Sequence, residues 1–99
     1  MNFALHPEAK EELREAAIYY SPGGTNLVRE LFSEYRSEVK RILANPYLFN
    51  IRPNGFRRAN LDRFPFYLPF LIKDETVYIL AVAHISRRPD YWTHRTSSL

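Results

Sequence analysis

The side chains best suited to chemistry in this 99-residue sequence gather near its C-terminal end, where basic and aromatic residues alternate. They are His84, Arg87, Arg88, Tyr91, Trp92, His94 and Arg95. Arginine presents a planar fork that matches phosphate and carboxylate groups, and aromatic rings stack on nucleic-acid bases. If Arg58 and Tyr67 project from neighbouring strands onto the same side, these residues form an exposed, concave surface for an anionic partner. Structural roles stay open beside this one, because Tyr91 and Trp92 could cover the core and His84 could be a hydrogen-bonded residue at a strand end.

Several enzyme classes lack their residue patterns in this chain. Cysteine is absent, which excludes thiolate nucleophiles, disulfides and zinc sites with sulfur ligands. The glycines do not form a phosphate-binding loop, and no serine occupies a Gly-x-Ser-x-Gly elbow. His6, His84 and His94 do not have the spacing of metal ligands. We therefore expect neither a metal nor a cofactor.

The charge of the chain is unevenly distributed. The net charge is +3, and the sequence pI is about 9.4. The first 45 residues are close to neutral, whereas the remainder is basic and almost all of its bases are arginines. This asymmetry favours an anionic partner, either nucleic acid or an acidic protein segment, although ordinary solubilising charge would produce it as well.

The apolar pattern predicts a single α+β domain over residues 1–99. The predicted elements are a strand at 3–5, a helix opened by Pro7, a helix from 25 or 26 to 45, strands at 56–64, 66–72 and 77–84, and a short helix within 87–95. The two long helices should form a hairpin packed on one face of a mostly antiparallel, four-stranded sheet. The last strand is apolar on both faces and should lie at the centre of that sheet. Pro69 cannot donate a ladder hydrogen bond, so we expect it at an edge, a bulge or a non-bonded position.

The residue pattern does not predict a targeting signal or a membrane-spanning segment. Its start lacks the basic and apolar regions of a secretion signal. Its longest proline-free apolar run, at 77–83, is far too short to cross a bilayer. We expect a cytoplasmic protein that makes no contact with membranes.

Three stretches of the sequence carry a distinctive pattern. They are Phe-x-Leu-His-Pro-Glu-Ala-x-x-Glu-Leu at 3–13, Arg-Phe-Pro-Phe-Tyr at 63–67 and Val-Ala-His-x-x-Arg-Arg-Pro-x-Tyr-Trp-x-x-Arg at 82–95. In these stretches, which follow one another from start to end, the chain resembles the RelE/ParE family. The resemblance implies a growth-inhibiting toxin of a type II toxin–antitoxin module, of the kind linked to plasmid stabilisation. It also implies a cognate antitoxin that wraps the toxin and blocks its working surface.

The resemblance implies one of two modes of action. One branch of the family cleaves messenger RNA on the ribosome, using side chains on the sheet and the C-terminal segment. The other branch poisons DNA gyrase and performs no chemistry itself. The C-terminal arginine and tyrosine of the cleaving branch would correspond to Arg87 or Arg88 and to Tyr91. Tyr67 stands where that branch usually has an arginine on the third strand.

Three hypotheses follow from the residues and the resemblance together. The first is a ParE-like toxin that binds DNA gyrase, which the incomplete cleaving set favours. The second is a RelE-like, ribosome-dependent endoribonuclease, whose catalytic residues would be His84, Arg87, Arg88 and Tyr91. The third is a decayed toxin that acts only with its antitoxin in a DNA-binding repressor complex. Contacts with the target or with nucleic acid are assigned to Arg57, Arg58, Arg63, Tyr67, Trp92 and Arg95. The sequence leaves the target, the antitoxin and the oligomeric state open.

Overall fold

Strands and helices follow one another in the order that the apolar pattern predicts. The computed structural model describes residues 1–99, apart from the side chain of Ser98. The strands are β1 (Asn2–Leu5), β2 (Arg57–Asn60), β3 (Phe66–Lys73), β4 (Thr76–Ile79) and β5 (Ala83–His84). The helices are α1 (Pro7–Tyr20) and α2 (Thr25–Ala44), and 3₁₀ turns cover Ser21–Gly23, Pro46–Leu48 and Thr93–Ser98. The predicted α+β class is confirmed, and its short C-terminal helix is a 3₁₀ turn.

The strands form one mixed sheet in the order β1-β4-β3-β2, and β5 pairs with β3 beyond the end of β4. β1 runs parallel to β4, whereas β2, β4 and β5 each run antiparallel to β3. β2 is shorter than the strand predicted at 56–64, because the chain turns at Leu61, whose N–H donates to the carbonyl of Phe66 at 2.9 Å. The sheet is mostly antiparallel, as predicted.

Pro69 explains why the strand predicted at 77–84 is divided into β4 and β5. It has no N–H to donate to the neighbouring strand, although its carbonyl accepts the N–H of Leu80 at 2.9 Å. The register shifts by one residue between the β3–β4 and β3–β5 ladders, with the extra residue on the β4–β5 side. This is a β-bulge, which is one of the positions expected for Pro69.

The two helices pack on one face of the sheet. α1 begins where Pro7 suits the first helical position, and Nδ1 of His6 accepts the N–H of Glu8 at 3.1 Å. Because side chains alternate along a strand, every second residue of β3 points towards the helices. The main core contains Leu13, Ala16, Leu31, Ile42, Phe66, Leu68, Phe70, Val77 and Ile79.

The C-terminal segment, residues 87–99, covers part of the opposite face of the sheet through Trp92. A second apolar cluster joins Trp92 to Tyr67, Leu80, Ala81 and Ala83. β4 lies between β1 and β3, so the central position predicted for the last apolar segment is confirmed for its first half. Within the described part of the chain, neither helix combines the length and the hydropathy that spanning a bilayer requires.

Candidate functional site

One buried carboxylate, that of Glu12 in α1, holds the C-terminal segment in place. It accepts the N–H of Val82, in the bulge between β4 and β5, at 3.0 Å. The hydroxyl of Tyr91 donates to it at 2.6 Å, and the two terminal nitrogens of Arg95 donate at 2.9 and 3.0 Å. Arg87 adds a contact of 3.2 Å from a partly exposed position. This set, called the Glu12 network below, links the first helix, the interrupted strand and the C-terminal segment.

The Glu12 network raises the pKa of two of its members, Tyr91 and Arg95. Burial, followed by the hydrogen bond to Glu12, raises the pKa of Tyr91 well above its ordinary value. Burial alone would lower the pKa of Arg95, but the hydrogen bonds and the charge of Glu12 outweigh it, so this pKa is raised. At neutral pH Tyr91 is therefore a neutral donor and Arg95 a cation that is compensated inside the protein.

Tyr67 and Trp92 are almost fully buried and are not part of an exposed surface. Trp92 is 2% exposed, its indole N–H donates to the hydroxyl of Tyr67 at 3.1 Å, and Phe56 packs edge-on against it at 4.9 Å. Arg95 is 6% exposed. The expectation of one exposed surface is therefore wrong for Tyr67, Trp92 and Arg95. Tyr67 and Trp92 are buried because the apolar face of the sheet opposite the helices packs against the C-terminal segment. Arg95 is buried because it pairs with Glu12 and donates to the carbonyl of Leu80 at 2.9 Å.

His84 ends β5 and is engaged by its own turn. Its Nδ1 accepts the N–H of Ser86 at 3.0 Å, and its ring packs edge-on against Phe66 at 5.1 Å. This arrangement is the hydrogen-bonded strand-end histidine that the sequence left open as an alternative. His94 is exposed, and its Nδ1 lies 3.0 Å from the carbonyl of Tyr91.

Arg87 and Arg88, which the resemblance leaves as alternatives, occupy different surroundings. The guanidinium of Arg87 stacks over the ring of Tyr91 at 3.8 Å and joins the Glu12 network. Arg88 is exposed, and the ion pairs among the described residues do not include it. The charge of Arg87 is partly compensated, whereas that of Arg88 faces solvent.

Arg63 ties the loop between β2 and β3 to α2. Its side chain forms an ion pair with Glu30, and its backbone N–H donates to Glu34 at 3.0 Å. Glu38, one turn further along α2, pairs with Arg41 at 2.8 Å. The glutamates of α2 are therefore bound by arginine side chains and by a backbone N–H group. The contacts of Arg63 connect two elements of the fold.

A basic cleft opens between β2 and the C-terminal segment. It has a volume of about 390 Å³. This arginine cleft is lined by Arg52, Arg57 and Arg58 and by the rings of Phe56, Tyr67 and Trp92, among others. Cationic groups beside aromatic rings suit the recognition of an anionic group. The Glu12 network is less suited to binding an anionic group, because its arginines already contact the carboxylate of Glu12.

Arg58 is the most constrained cation of the arginine cleft. Its guanidinium stacks over Tyr67 at 3.9 Å, and its Nε donates to the side chain of Asn60 at 3.0 Å. Burial, followed by the positive charge of Arg52, lowers the pKa of Arg58. Asp90 also lines the cleft, and its carboxylate accepts a hydrogen bond from the amide of Asn54 at 2.8 Å.

Sequence reasoning missed Glu12 and Arg52. Glu12 lies three residues after Ala9 and four before Ala16, so a carboxylate on the apolar face of the helix was the signal that could have identified it. Arg52 carries no such signal, because only the fold brings it beside β2. Within the described residues, no group of histidine, aspartate and glutamate side chains could hold a metal ion.

Comparisons with known proteins agree with this fold. Residues 3–89 match the family described as ParE toxin of type II toxin-antitoxin system, parDE. Toxin ParE2 from two strains of Mycobacterium tuberculosis is 29% identical over 87 residues, which cover 87% of this chain and 83% of that protein. A solved structure described as the chromosomal ParDE TA system from P. aeruginosa has a TM-score of 0.76 at 22% identity, covering 87% of this chain and 97% of its own. The chain therefore belongs to the ParE toxin family of type II toxin–antitoxin systems.

Proposed function

We propose that this toxin inhibits growth by binding DNA gyrase without catalysing a reaction of its own, and that a cognate antitoxin neutralises it. The observation that carries the non-catalytic part is the Glu12 network. It engages Arg87 and Tyr91, which are half of the catalytic set that the cleaving branch would need. A gyrase target would place the action of the toxin in the cytoplasm.

Attack of a ribose 2′-hydroxyl on a phosphate requires a proton acceptor, a proton donor and positive charge near the phosphate. The hydroxyl of Tyr91 donates a hydrogen bond to Glu12, and its raised pKa keeps it protonated at neutral pH, so it is not available as the proton acceptor. Nδ1 of His84 is occupied by the N–H of Ser86. Arg87 shares its charge with Glu12. These contacts favour binding of a large target over cleavage of RNA.

A groove beside β1 supports the proposed neutralisation by an acidic antitoxin. The groove has a volume of about 560 Å³ and lies between Phe3 and α2. Tyr35 and Val39 supply apolar surface, and Arg36 and Lys40 are exposed at its rim. Apolar surface with a basic rim suits an amphipathic segment that carries acidic side chains.

The test is a supercoiling assay with purified gyrase and purified toxin, run with and without the cognate antitoxin, which we expect to be encoded next to the toxin gene. We expect inhibition by the toxin and recovery when the acidic partner is added. Parallel reactions with ribosomes and messenger RNA should leave the message whole. Undiminished gyrase activity, or ribosome-dependent cleavage of the message, would contradict the proposal.

A further inference from the structure

An apolar surface patch lies between α2 and β2. Tyr47 is 62% exposed, Leu48 is 76% exposed and Ile51 is 61% exposed, all within one short loop. Pro46 and Phe49 are buried and anchor this loop on the core. The large side chains therefore face solvent from a loop that is held at two points, which is typical of an interaction site rather than of scattered surface residues.

Two of the cleft arginines continue this patch. The side chain of Arg57 donates to the carbonyl of Phe49 at 2.5 Å, and its guanidinium lies 5.3 Å from the centroid of the Tyr47 ring. Arg52 follows Ile51 directly in the chain and lines the arginine cleft with Arg57. The apolar patch and the arginine cleft therefore form one continuous surface, which we call the docking surface. Its members are Tyr47, Leu48, Ile51, Arg52, Arg57 and Arg58.

The positive charge of the docking surface is not compensated by ion pairs. The ion pairs among the described residues involve Arg14, Arg41, Arg63, Arg87 and Arg95. Arg52, Arg57 and Arg58 take part in none of them. Asp90 lies across the cleft, where Asn54 binds its carboxylate. Asp90 offsets part of the charge of Arg58. The surface therefore offers an acidic partner the charges of Arg52 and Arg57 and the remainder of that of Arg58, which no ion pair among the described residues compensates.

We propose that the docking surface binds an acidic, partly apolar face of the target protein. Tyr47, Leu48 and Ile51, which are exposed in the free toxin, would be buried in the complex and anchor it. This inference rests on the proposed function, in which the target is gyrase. Aromatic residues and arginine are enriched in protein interfaces, where a few of them dominate the binding energy. Leu48 and Ile51 neither stack on bases nor bind phosphate, so the composition favours a protein over a nucleic acid. The arginines orient the encounter and the apolar side chains hold the complex.

The test compares variants in the gyrase supercoiling assay. The double variant Leu48→Ser and Ile51→Ser should need about tenfold or more toxin for half-inhibition. Arg52→Glu should weaken inhibition to a similar degree, and the deficit should shrink as salt is added. Arg29→Glu makes the same charge change on exposed α2 surface and should stay within about twofold of the wild type. Unchanged midpoints in urea unfolding would show that the variants are folded.

Each outcome decides between the two proposals. Failure of the wild-type toxin to inhibit gyrase would overturn the proposed function and this inference with it. Inhibition by the wild type that the double variant and Arg52→Glu retain would overturn this inference alone. Binding of a short DNA duplex in the absence of gyrase, lost in Arg52→Glu, would assign the surface to nucleic acid and overturn it as well.

Discussion

Replacing Glu12 by alanine should destabilise the protein more than any exposed substitution on α1. The change removes the carboxylate that binds both terminal nitrogens of Arg95, which is 6% exposed. It also removes the acceptor for Val82 and Tyr91. Breaking a buried ion pair on one side costs about 3–5 kcal/mol, because the remaining charge stays buried. The partly exposed contact with Arg87 adds less than about 1 kcal/mol. Arg95 keeps the exposed carboxylate of Glu8 at 3.6 Å from its Nε, so we expect a loss near the lower end of this range, about 3 kcal/mol, which is a large share of the 5–15 kcal/mol typical of a domain.

The assay is urea unfolding followed by circular dichroism and by the fluorescence of Trp92, which is the single tryptophan. Glu15→Ala, an exposed neighbour on the same helix, is the matched control and should change the free energy of unfolding by less than about 0.5 kcal/mol. The double variant Glu12→Ala and Arg95→Met should recover much of the loss, because it removes both buried charges.

A role for Glu12 as the partner of a buried charge is refuted by a loss below about 1 kcal/mol for Glu12→Ala, since an ordinary surface contact would cost that much. It is refuted as well if the double variant with Arg95→Met is less stable than Glu12→Ala alone. Glu12→Gln keeps an oxygen acceptor for Val82 without the charge, and it should lie between the wild type and the alanine variant. This variant supplies the measurement if Glu12→Ala does not fold.

The raised pKa of Tyr91 should make stability fall at alkaline pH, because the unfolded side chain ionises first, at about pH 10. Its contribution is present below that pH and is lost as pH rises towards the folded pKa, so Tyr91→Phe should flatten the alkaline limb of a pH series of urea midpoints. Tyr67→Phe removes the acceptor of the Trp92 N–H and should cost about 1–3 kcal/mol in urea unfolding, and no loss would show that the bond is not formed. His84→Ala should inhibit gyrase within about twofold of the wild type, because no proton transfer is assigned to it, and abolished toxicity with intact folding would contradict this.

Much of the fold could be predicted from local patterns. Apolar spacing placed both helices, and Pro7 and Pro46 marked a start and a stop that depend on the proline ring alone. Alternation located β3, and the lack of polar positions after Thr76 placed β4 inside the sheet. Pro69 predicted an interruption of the ladder, as an edge, a bulge or a non-bonded position, because its missing N–H acts wherever the strand lies, and the tertiary structure selected the bulge. These features depend on the chemistry of a few neighbouring residues, so they can be predicted without knowledge of the tertiary structure.

The candidate site depended on contacts that no local pattern contains. Glu12 meets Val82, Tyr91 and Arg95 across seventy or more positions of the chain, and only the packing of α1 against the sheet brings them together. The sequence determined the types of side chain available, including the excess of arginine in the second half. The tertiary structure decided which of these charges are compensated inside the protein and which remain for a partner, because that depends on distance and burial rather than on order in the chain.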